Sequence, residues 1–574
     1  MIVKEKITQK KPTSNEQLEE DIQNLRQNAD AWLNVPISER VLILENIIRE
    51  VGELMESWVA LSLEVKQVKD DPYSTGLEWV GGPMSVLRYL RGLIRSLKDL
   101  EQGRSPRLPG GVHTRPDGRL VANIYPGSLY ERIVTTGVTV DVVMQAGISA
   151  EAMSQHMALA YQEPGMQGRL ALVLGAGNIA AIPVLDSLYK LFVENQVVIL
   201  KMNPVNEYIG PLIEKSHQEL KSRNFLRVVY GGAEVGTYLS QHPGIDEIHL
   251  TGSDRTYEAV VFGGGPDGNQ RKQEHQPLVT KRFTAELGNI GPEIVVPGPW
   301  SGKELHYQAE QIVSNICDNV GFSCSRARVV LTHAGWDLHD QLLAEIRQVM
   351  ACLPARAAYY PGAEALYNRF LQAHPEAETF GQRQGTNLPW AFISGLDPEK
   401  ESDICFQVES FCPVLAETSL SADSIPEFIE MAVKFANQRL WGTLTASIII
   451  HPGSLKLPGV VEALEKAIND LHYGAIVVNG LGGMTWAMTT PPWGSFPGND
   501  LYDIQSGSGF SNNAFMFSGV EKVVVRAPFT TWPKPIWFNS QGKTFARVVR
   551  KVAYYDLAPS YLKLPGIVLA AIQS

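Results

Sequence analysis

Hydrophobic residues recur at helical spacing in the first part of the chain and gather into short runs further on. Between about residues 16 and 102, stretches such as 41–51 place apolar side chains on one face of a helix. Residues 104–118 are rich in proline and glycine, which is typical of a connector. Two stretches that favour strands, 120–125 and 138–144, follow it. The pattern therefore predicts a helical segment, a connector and a pair of strands.

From residue 170 onward, short apolar runs alternate with longer amphipathic stretches. We expect strands at 170–174, 197–200, 226–230 and 247–250, and helices at about 179–194 and 208–222. A second series of this kind begins at residue 292 and continues to about residue 490. Strands that alternate with helices predict parallel sheets covered by helices on both faces, and therefore an α/β fold.

Two segments fall outside this alternation. Residues 263–272 combine glycine, proline, aspartate and asparagine, a composition that predicts a flexible loop. Residues 531–574 form a tail that is rich in aromatic residues and proline. The end of this tail, residues 562–574, is apolar, and we expect it to pack against the protein rather than to contact a membrane.

Length and composition narrow the class of protein. A chain of 574 residues exceeds one ordinary core, so two or three domains are expected, and 44% apolar with 19% charged residues is typical of a folded protein. The net charge of −11, with no basic run, disfavours nucleic acid as a partner. No apolar stretch approaches the ~20 residues of a membrane-spanning helix. The basic N-terminal residues contain no apolar signal core.

The cysteines point to a reducing environment. There are five, and no two of them form a CxxC pair. Their spacing therefore suggests neither a zinc site nor a disulfide framework, and no metal is expected. A cytoplasmic location is the prediction that fits this pattern best.

Two segments carry reactive side chains. Cys324 ends the stretch Asn-Val-Gly-Phe-Ser-Cys, and Glu286 lies in Ala-Glu-Leu-Gly-Asn. A cysteine thiolate can attack a carbonyl carbon and hold the product as a thioester. A nearby carboxylate can activate the water that releases it. A lone cysteine is more often buried and inert, so this chemistry depends on the segments that surround it.

The segment Gly-Ala-Gly-Asn178 follows a predicted strand and opens a predicted helix. It matches the dinucleotide fingerprint GxGxxA, in which an acidic residue at the end of the next strand binds the ribose. Here that strand ends in Lys201 instead. The segment is therefore open to two interpretations at this point, a true fingerprint and a plain helix cap.

The chain resembles the aldehyde dehydrogenase superfamily over about residues 20–525. The resemblance rests on the segments above, in the family's order and roughly its spacing, and on three more, Gly231-Gly-Ala-Glu-Val-Gly236, Thr251-Gly252-Ser253 and Glu409-Ser-Phe411-Cys-Pro. It implies an α/β fold with two α/β domains, each with a parallel-type sheet, and an oligomerisation hairpin. The expected bounds are 16–118 and 147–286 for the cofactor-binding domain, 287–490 for the catalytic domain, and 119–146 with 491–530 for the oligomerisation elements. Residues 531–574 form a C-terminal extension of unknown role.

The resemblance also implies roles for individual residues. Cys324 would be the nucleophile and Glu286 the base that activates water. The side-chain amide of Asn178 would help to form an oxyanion hole, which is a third interpretation of its segment. The remaining positions would contact the cofactor: Lys201 its adenosine ribose, Gly232, Gly236, Gly252 and Ser253 its pyrophosphate, and Glu409 and Phe411 its nicotinamide end.

The chain departs from the family pattern at four positions. Phe322 replaces a glutamine, while Asn289 and Cys412 replace glycines. Pro204 stands where the family commonly has a glutamate that holds the ribose hydroxyls and favours NAD. Without this carboxylate there is no repulsion against a 2′-phosphate, so the cofactor is predicted to be NAD or NADP, with NADP tolerated.

These implications predict the NAD- or NADP-dependent oxidation of an aldehyde to a carboxylic acid through a cysteine thioester. The aromatic residues Phe322, Trp486 and Trp493 suggest an apolar or bulky aldehyde, and the family suggests a homodimer or homotetramer. Two alternatives remain. The thioester could be released by coenzyme A, as in acylating aldehyde dehydrogenases and acyl-CoA reductases, or the chain could be a non-catalytic member with a binding or assembly role.

Overall fold

The computed structural model describes residues 10–163 and 165–573. Residues 1–9 lie outside the described residues. They make up most of the basic N-terminal segment in which the sequence predicts no signal core. The helices are α1 Asn15–Leu33, α2 Ile37–Val65, α3 Pro72–Trp79, α4 Ser85–Glu101, α5 Leu129–Val134, α6 Ile182–Phe192, α7 Gly210–Ser216, α8 Gln218–Ser222, α9 Ala233–Gln241, α10 Asp254–Val261, α11 Gly265–Gln273, α12 Gly302–Cys317, α13 His339–Ala351, α14 Ala363–Ala373, α15 Ile404–Gln407, α16 Ile425–Arg439, α17 Val460–Asp470, α18 Met484–Met488, α19 Gly542–Leu557 and α20 Leu564–Ile572.

The strands form two principal sheets and one short pair. They are β1 Val112–Thr114, β2 Leu120–Tyr125, β3 Thr139–Met144, β4 Leu170–Leu174, β5 Val197–Lys201, β6 Leu226–Val229, β7 Glu247–Thr251, β8 Arg282–Glu286, β9 Gly291–Val295, β10 Ala327–His333, β11 Glu378–Phe380, β12 Trp390–Leu396, β13 Val414–Leu420, β14 Thr445–Ile449, β15 Ala475–Val478, β16 Pro492–Trp493, β17 Gly507–Ser508, β18 Ser511–Asn512 and β19 Val520–Arg526.

The first sheet has six strands in the order β17-β8-β7-β4-β5-β6. Strands β4 to β8 are parallel, with Leu174 opposite Lys201 and Thr251 opposite Glu286. Every residue of β4, β5 and β7 is buried, as expected for strands covered by helices on both faces. The carboxyl ends of parallel strands meet at one edge, so this sheet brings Lys201 and Glu286 to the same edge.

The second sheet has eleven strands in the order β1-β2-β3-β19-β15-β14-β9-β10-β13-β12-β11. Its seven central strands, from β19 to β12, are parallel. The hairpin β2–β3 joins them through β19, which pairs antiparallel with β3. Strand β17 pairs instead with β8 of the first sheet. Residues 491–530 therefore contact both sheets and the hairpin.

Two predicted segments differ in the structure. The stretch 263–272, which we expected to be a flexible loop, was predicted wrongly: it contains most of helix α11. Pro266 and Asp267 occupy the first turn of α11, while Arg271 and Lys272 occupy its last turn, which suits the helix dipole. The helix expected at 208–222 is divided into a short 3₁₀ turn, α7 and α8, with a break at the buried His217.

The C-terminal residues continue beyond β19 into helices α19 and α20. In α20, Leu564, Ile567 and Ala570 are buried against the protein, whereas Leu569 is 56% exposed. The apolar end of the chain therefore packs with one face and leaves the other outside. Among the described residues, no helix is both long and apolar enough to cross a membrane.

Candidate active site

A cleft of about 780 Å³ lies at the carboxyl edge of the first sheet. Its opposite wall comes from the second sheet and its connections, including residues 360–366 and Trp441. All ten residues that the sequence singled out line this one cleft: Asn178, Lys201, Gly232, Gly236, Gly252, Ser253, Glu286, Cys324, Glu409 and Phe411. The parallel sheet explains the convergence, because most of these residues follow the carboxyl ends of its strands.

Two helices begin at the glycine-rich rim of the cleft. Helix α9 follows Gly232, and helix α10 follows Ser253, whose hydroxyl oxygen accepts a hydrogen bond from the backbone N–H of Thr256 at 3.2 Å. A Cβ atom added at Gly232 or Gly236 would meet no other atom within 4 Å. The rim is therefore open, and the first N–H groups of each helix are suited to bind an anion.

Lys201 ends β5 and is 8% exposed. Burial lowers the pKa of Lys201 to about 8. Pro204 follows it, and Glu207, the next acidic residue along the chain, does not line the cleft but accepts a hydrogen bond from the backbone N–H of Lys10 at 2.9 Å. The side of the cleft near Lys201 thus has a lysine without the carboxylate that the family commonly places after it.

The loop that carries Cys324 has an unusual backbone. Asn319, Val320 and Gly321 all have positive φ angles, of 47°, 56° and 85°. A β-branched residue seldom adopts this conformation. The carbonyl of Cys412 leaves no room for a Cβ atom at Gly321, so glycine is required there for two reasons. These turns bring the short loop from α12 back into the cleft, where Cys324 is partly exposed.

Cys324 and Glu286 face each other at the inner end of the cleft. Burial raises the pKa of the Cys324 thiol well above its ordinary value, and the carboxylates of Glu286 and Glu409 raise it further. Burial likewise raises the pKa of Glu286 to about 8. Atom Oε1 of Glu286 has no hydrogen-bond partner among the described residues. A carboxyl that contacts a thiol and keeps one oxygen without a partner is suited to move a proton.

Asn178 joins the β4–α6 turn to the Cys324 loop. Its side-chain amide donates to the carbonyl of Phe322 at 2.9 Å, and its own carbonyl accepts from the side chains of Asn319 and Tyr359. Helix α6 has no side-chain cap, so Asn178 is not a helix cap. An amide group has two N–H donors, and the bond to Phe322 uses only one of them.

A buried arginine holds the other side of the Cys324 loop. The guanidinium of Arg328 donates to the carbonyls of Asn289 at 2.7 Å, Ser410 at 2.8 Å and Ser323 at 2.9 Å, and it pairs with the carboxylate of Glu409. Glu409 also accepts from the backbone N–H of Asn289 at 3.2 Å. The position of Glu409 in the cleft is therefore fixed by hydrogen bonds.

Comparison with known proteins shows which family part of this chain resembles. A model of the aldehyde dehydrogenase family matches residues 180–361. The chain is 28% identical over 214 residues to N-succinylglutamate 5-semialdehyde dehydrogenase of Sphingopyxis alaskensis, a stretch that covers 37% of each chain. It is 26% identical over 269 residues to 1-pyrroline-5-carboxylate dehydrogenase of Geobacillus thermodenitrificans, covering 43% of this chain and 45% of that one. Residues 180–361, about a third of the chain, are therefore similar to the aldehyde dehydrogenase family.

Solved structures show that the superfamily fold extends over most of the chain. Glyceraldehyde-3-phosphate dehydrogenase GapN of Methanocaldococcus jannaschii, complexed with NADP, superposes with a TM-score of 0.60 at 13% identity over 90% of this chain and 95% of that one. Lactaldehyde dehydrogenase of Escherichia coli gives a TM-score of 0.58 at 15% identity over 90% and 92%. The chain therefore has the predicted aldehyde dehydrogenase fold, although the sequence matches span less than half the length of the two curated relatives.

The departures from the superfamily pattern have structural explanations. Phe322 is fully buried in an aromatic cluster, with ring centroids 5.2 Å from Tyr359 and 5.6 Å from Phe411. Asn289 bridges two strand ends, because its amide donates to the carbonyl of Thr445 at 3.0 Å and accepts from the N–H of Leu444 at 3.3 Å. These residues therefore stabilise the loops of the site and leave its polar groups in place.

Sequence reasoning missed several residues that shape this candidate site. Arg326 is buried beside Arg328 and donates to the carbonyl of Cys412 at 2.7 Å. Lys66 and Glu78 form a buried ion pair at 2.7 Å, and Lys66 also donates to the carbonyl of Asn178 at 3.2 Å. The run Ser-Arg-Ala-Arg directly after Cys324 could have drawn attention to Arg326 and Arg328. Nothing local marked the pair of Lys66 and Glu78, because its role comes from tertiary contact.

Proposed function

We propose that the protein oxidises an aldehyde to a carboxylic acid with NAD or NADP, through a thioester on Cys324. One observation carries the proposal: Cys324 and Glu286 meet at the inner end of a cleft whose rim is formed by the residues expected to hold a dinucleotide. A nucleophile and a base in contact, with an anion-binding rim beside them, are what this reaction requires. The aldehyde substrate is proposed to be apolar or bulky, as the aromatic residues of the sequence suggest.

The residues present fit a nicotinamide dinucleotide. The open glycine rim and the starts of α9 and α10 would hold its pyrophosphate, and Lys201 would reach its adenosine ribose. Glu409 and Phe411 line the cleft towards Cys324, on the side proposed for the nicotinamide. A bound nicotinamide would supply the hydride acceptor. Because Pro204 brings no carboxylate to the cleft, NADP should be accepted as well as NAD.

The chain's own residues would perform the remaining steps. Glu286 takes the proton of the Cys324 thiol, and the thiolate forms a bond to the aldehyde carbon. The second N–H of the Asn178 amide and the backbone N–H of Cys324 hold the negative oxygen. Once hydride has left that carbon, a thioester remains. Glu286 gives its proton to solvent and then takes one from water, whose oxygen attacks the thioester and releases the acid and the thiolate.

The direct test is a panel of short, long-chain and aromatic aldehydes with NAD or NADP, without coenzyme A, assayed for the wild type and Cys324→Ser. Reduction of the cofactor by the wild type alone would support the proposal. Reduction by both proteins would overturn the role of Cys324. Turnover that appears only with coenzyme A would mean that the thiol of coenzyme A, and not water, accepts the acyl group. No change in the cofactor with either aldehydes or acyl-CoA would favour a binding or assembly role.

The assembly and location of the protein are also proposals. We propose a homodimer or homotetramer that uses the β2–β3 hairpin, because helix α5 between these strands exposes Leu129 at 57% and Ile133 at 44%. Exposed apolar side chains on a short helix are typical of an interface. All five cysteines are free thiols, which agrees with the predicted cytoplasmic location.

A further inference from the structure

A second cavity, of about 550 Å³, lies on the far side of the Cys324 loop from the cleft. Its inner end is formed by Ile179, Asn319, Ser323 and Ser325, the residues next to Asn178 and on both sides of Cys324. The carboxyl and thiol groups of the cleft do not line it. We call this cavity the apolar chamber because most of its accessible lining is hydrocarbon, although charged side chains such as Arg91, Glu131 and the ion pair of Arg88 with Asp556 also line it.

The walls of the apolar chamber come from distant parts of the chain. They include a π-helical turn at Val80–Met84, helix α4, the α5 region, helix α18 and the C-terminal residues. Exposed residues mark its mouth, among them Arg95, Val134 and Pro559. Buried residues such as Tyr73 and Ser323 mark its depth. The chamber therefore leads from solvent to the loop that carries the nucleophile.

Residues 531–573 supply one long side of the chamber. We call them the C-terminal extension. Six of its apolar side chains line the cavity: Ile536, Trp537, Phe545, Val548, Val549 and Val552. The last four lie on one face of α19 at helical spacing, and they are at most 5% exposed. The opposite face of α19 carries the basic side chains of Arg547, Arg550 and Lys551.

The C-terminal extension is held firmly against the helical segment. Tyr130 and Tyr555 stack with ring centroids 4.0 Å apart, and Arg88 forms an ion pair with the buried Asp556 at 3.3 Å. Gly76 of α3 lets Phe545 approach so closely that any side chain at Gly76 would collide with its ring. An element packed this closely forms a fixed wall that determines the shape of the chamber.

We propose that the C-terminal extension completes the apolar chamber as the site for the hydrocarbon tail of a long-chain aldehyde, with its carbonyl reaching Cys324 past Ser323 and Ser325 and its tail along the apolar face of α19. This inference rests on the proposed function, whose substrate class it names. A chamber with an apolar wall gains free energy for each methylene group that it removes from water. A short aldehyde would leave most of the chamber unfilled.

The kinetic test compares acetaldehyde, hexanal and decanal. For the wild type, kcat/KM should rise with chain length by up to about fourfold per methylene until the chamber is full. Val552→Phe narrows the chamber and should lower kcat/KM for decanal by about tenfold or more, with little change for acetaldehyde. Lys551→Phe is the matched control, because it places the same ring one residue away on the outer face of α19, and it should behave as the wild type.

Val552→Ala provides a variant in the opposite direction. It enlarges the chamber and should favour decanal over hexanal relative to the wild type. A flat dependence on chain length in the wild type would overturn the proposal. So would equal losses for acetaldehyde and decanal in a folded Val552→Phe protein, because these would indicate a general effect on the active site.

A binding measurement separates this proposal from the proposed function. Binding of 1-decanol to the Cys324→Ser protein can be followed by the fluorescence of Trp486 and Trp537, which line the chamber. If the wild type oxidises no aldehyde but decanol binds and Val552→Phe weakens this binding, the chamber binds hydrocarbon tails and the proposed oxidation is wrong. If the wild type oxidises short aldehydes but decanol does not bind, the proposed function stands and the proposal that the chamber binds a hydrocarbon tail is wrong.

Discussion

Cys324 and Glu286 both keep their protons near pH 7. In an exposed pair the carboxyl would be ionised at this pH, and only the thiol would be protonated. Burial raises the pKa of the thiol well above its ordinary value and the pKa of Glu286 to about 8. Near pH 7 the pair is therefore mostly neutral, and the thiol is protected from oxidation and side reactions. As the pH rises towards 8, Glu286 loses its proton, and its carboxylate can then act as a base towards the thiol or water.

The first prediction concerns Glu286→Gln. Glutamine keeps the shape of the side chain but cannot remove a proton, so release of the thioester should slow by about 100-fold or more. A stopped-flow experiment should show a stoichiometric burst of reduced cofactor, slower than in the wild type because the Cys324 thiol must then lose its proton to solvent, followed by almost no turnover. In the wild type, the release step should accelerate as the pH rises through about 8, and the variant should lose this dependence. Full turnover without a burst would refute the role of Glu286 as base.

The second prediction concerns Glu293, a buried carboxyl in β9 outside the cleft. Burial raises its pKa to about 8, and only its Oε2 has a partner, the amide of Asn315 at 3.0 Å. The folded-state pKa lies above the unfolded value, so the neutral acid stabilises the fold at low pH and this contribution is lost as the pH rises through about 8. Glu293→Gln should therefore raise the free energy of unfolding at pH 9 by on the order of 2 kcal/mol.

Urea denaturation at pH 5 and pH 9 measures this effect. At pH 5 the wild type and Glu293→Gln should be nearly equal in stability, because glutamine resembles the protonated acid. If Glu293→Gln is less stable than the wild type by the same amount at pH 5 and pH 9, the glutamine amide does not fit the site. The prediction that the titration of Glu293 controls stability would then be wrong. The variant should still oxidise aldehydes, which also makes it a control for Glu286→Gln.

At the scale of elements, the sequence predicted the parts that local pattern controls. The apolar runs that became β4 to β7 were located to within about a residue or two, and the residues at their ends meet in one cleft because parallel strands align them. Helix α11 was missed because its glycines and proline are turn formers, although proline also suits the first turn of a helix. The division of α7 from α8 at His217 had no local signal either.

Other features depend on contacts between segments far apart in the chain. The aromatic cluster of Phe322, the bridging amide of Asn289 and the apolar chamber all require tertiary structure. Pattern and motif therefore singled out residues that line one cleft, but they could not show which surfaces enclose them. The C-terminal extension is the clearest case, since its sequence suggested only a tail.

The third prediction tests helix α9 as part of the cofactor rim. Gly236 lines the cleft, and a Cβ atom added there would meet no neighbouring atom within 4 Å, so we expect Gly236→Val to fold while its methyl groups occupy cofactor space. The affinity for NAD and NADP should fall by about tenfold or more, measured by calorimetry. Gly302→Val is the control for the same substitution in a helix away from the cleft, because a Cβ atom at Gly302, the exposed first residue of α12, also meets no neighbouring atom. Unchanged cofactor affinity in Gly236→Val would place the dinucleotide elsewhere.

At the scale of the whole molecule, the second sheet connects the parts of the protein. Strand β19 lies between the β2–β3 hairpin and β15, so the hairpin extends the same sheet that carries the Cys324 loop. The C-terminal extension then packs back onto α3 and stacks Tyr555 on Tyr130 of α5. The hairpin region therefore touches both the second sheet and the mouth of the apolar chamber, and an interface formed there would affect access to the chamber.

The fourth prediction tests this interface with the double variant Leu129→Glu and Ile133→Glu. Both side chains are exposed on α5, so the charges should not disturb the folded protomer, but they would be buried without partners in a dimer. Sedimentation equilibrium should show a dimer or tetramer for the wild type and a monomer for the variant. Leu457→Glu, at an apolar position 46% exposed beyond β14, is the control and should not dissociate. If the wild type is already a monomer, or if only Leu457→Glu dissociates, the hairpin is not the contact between protomers.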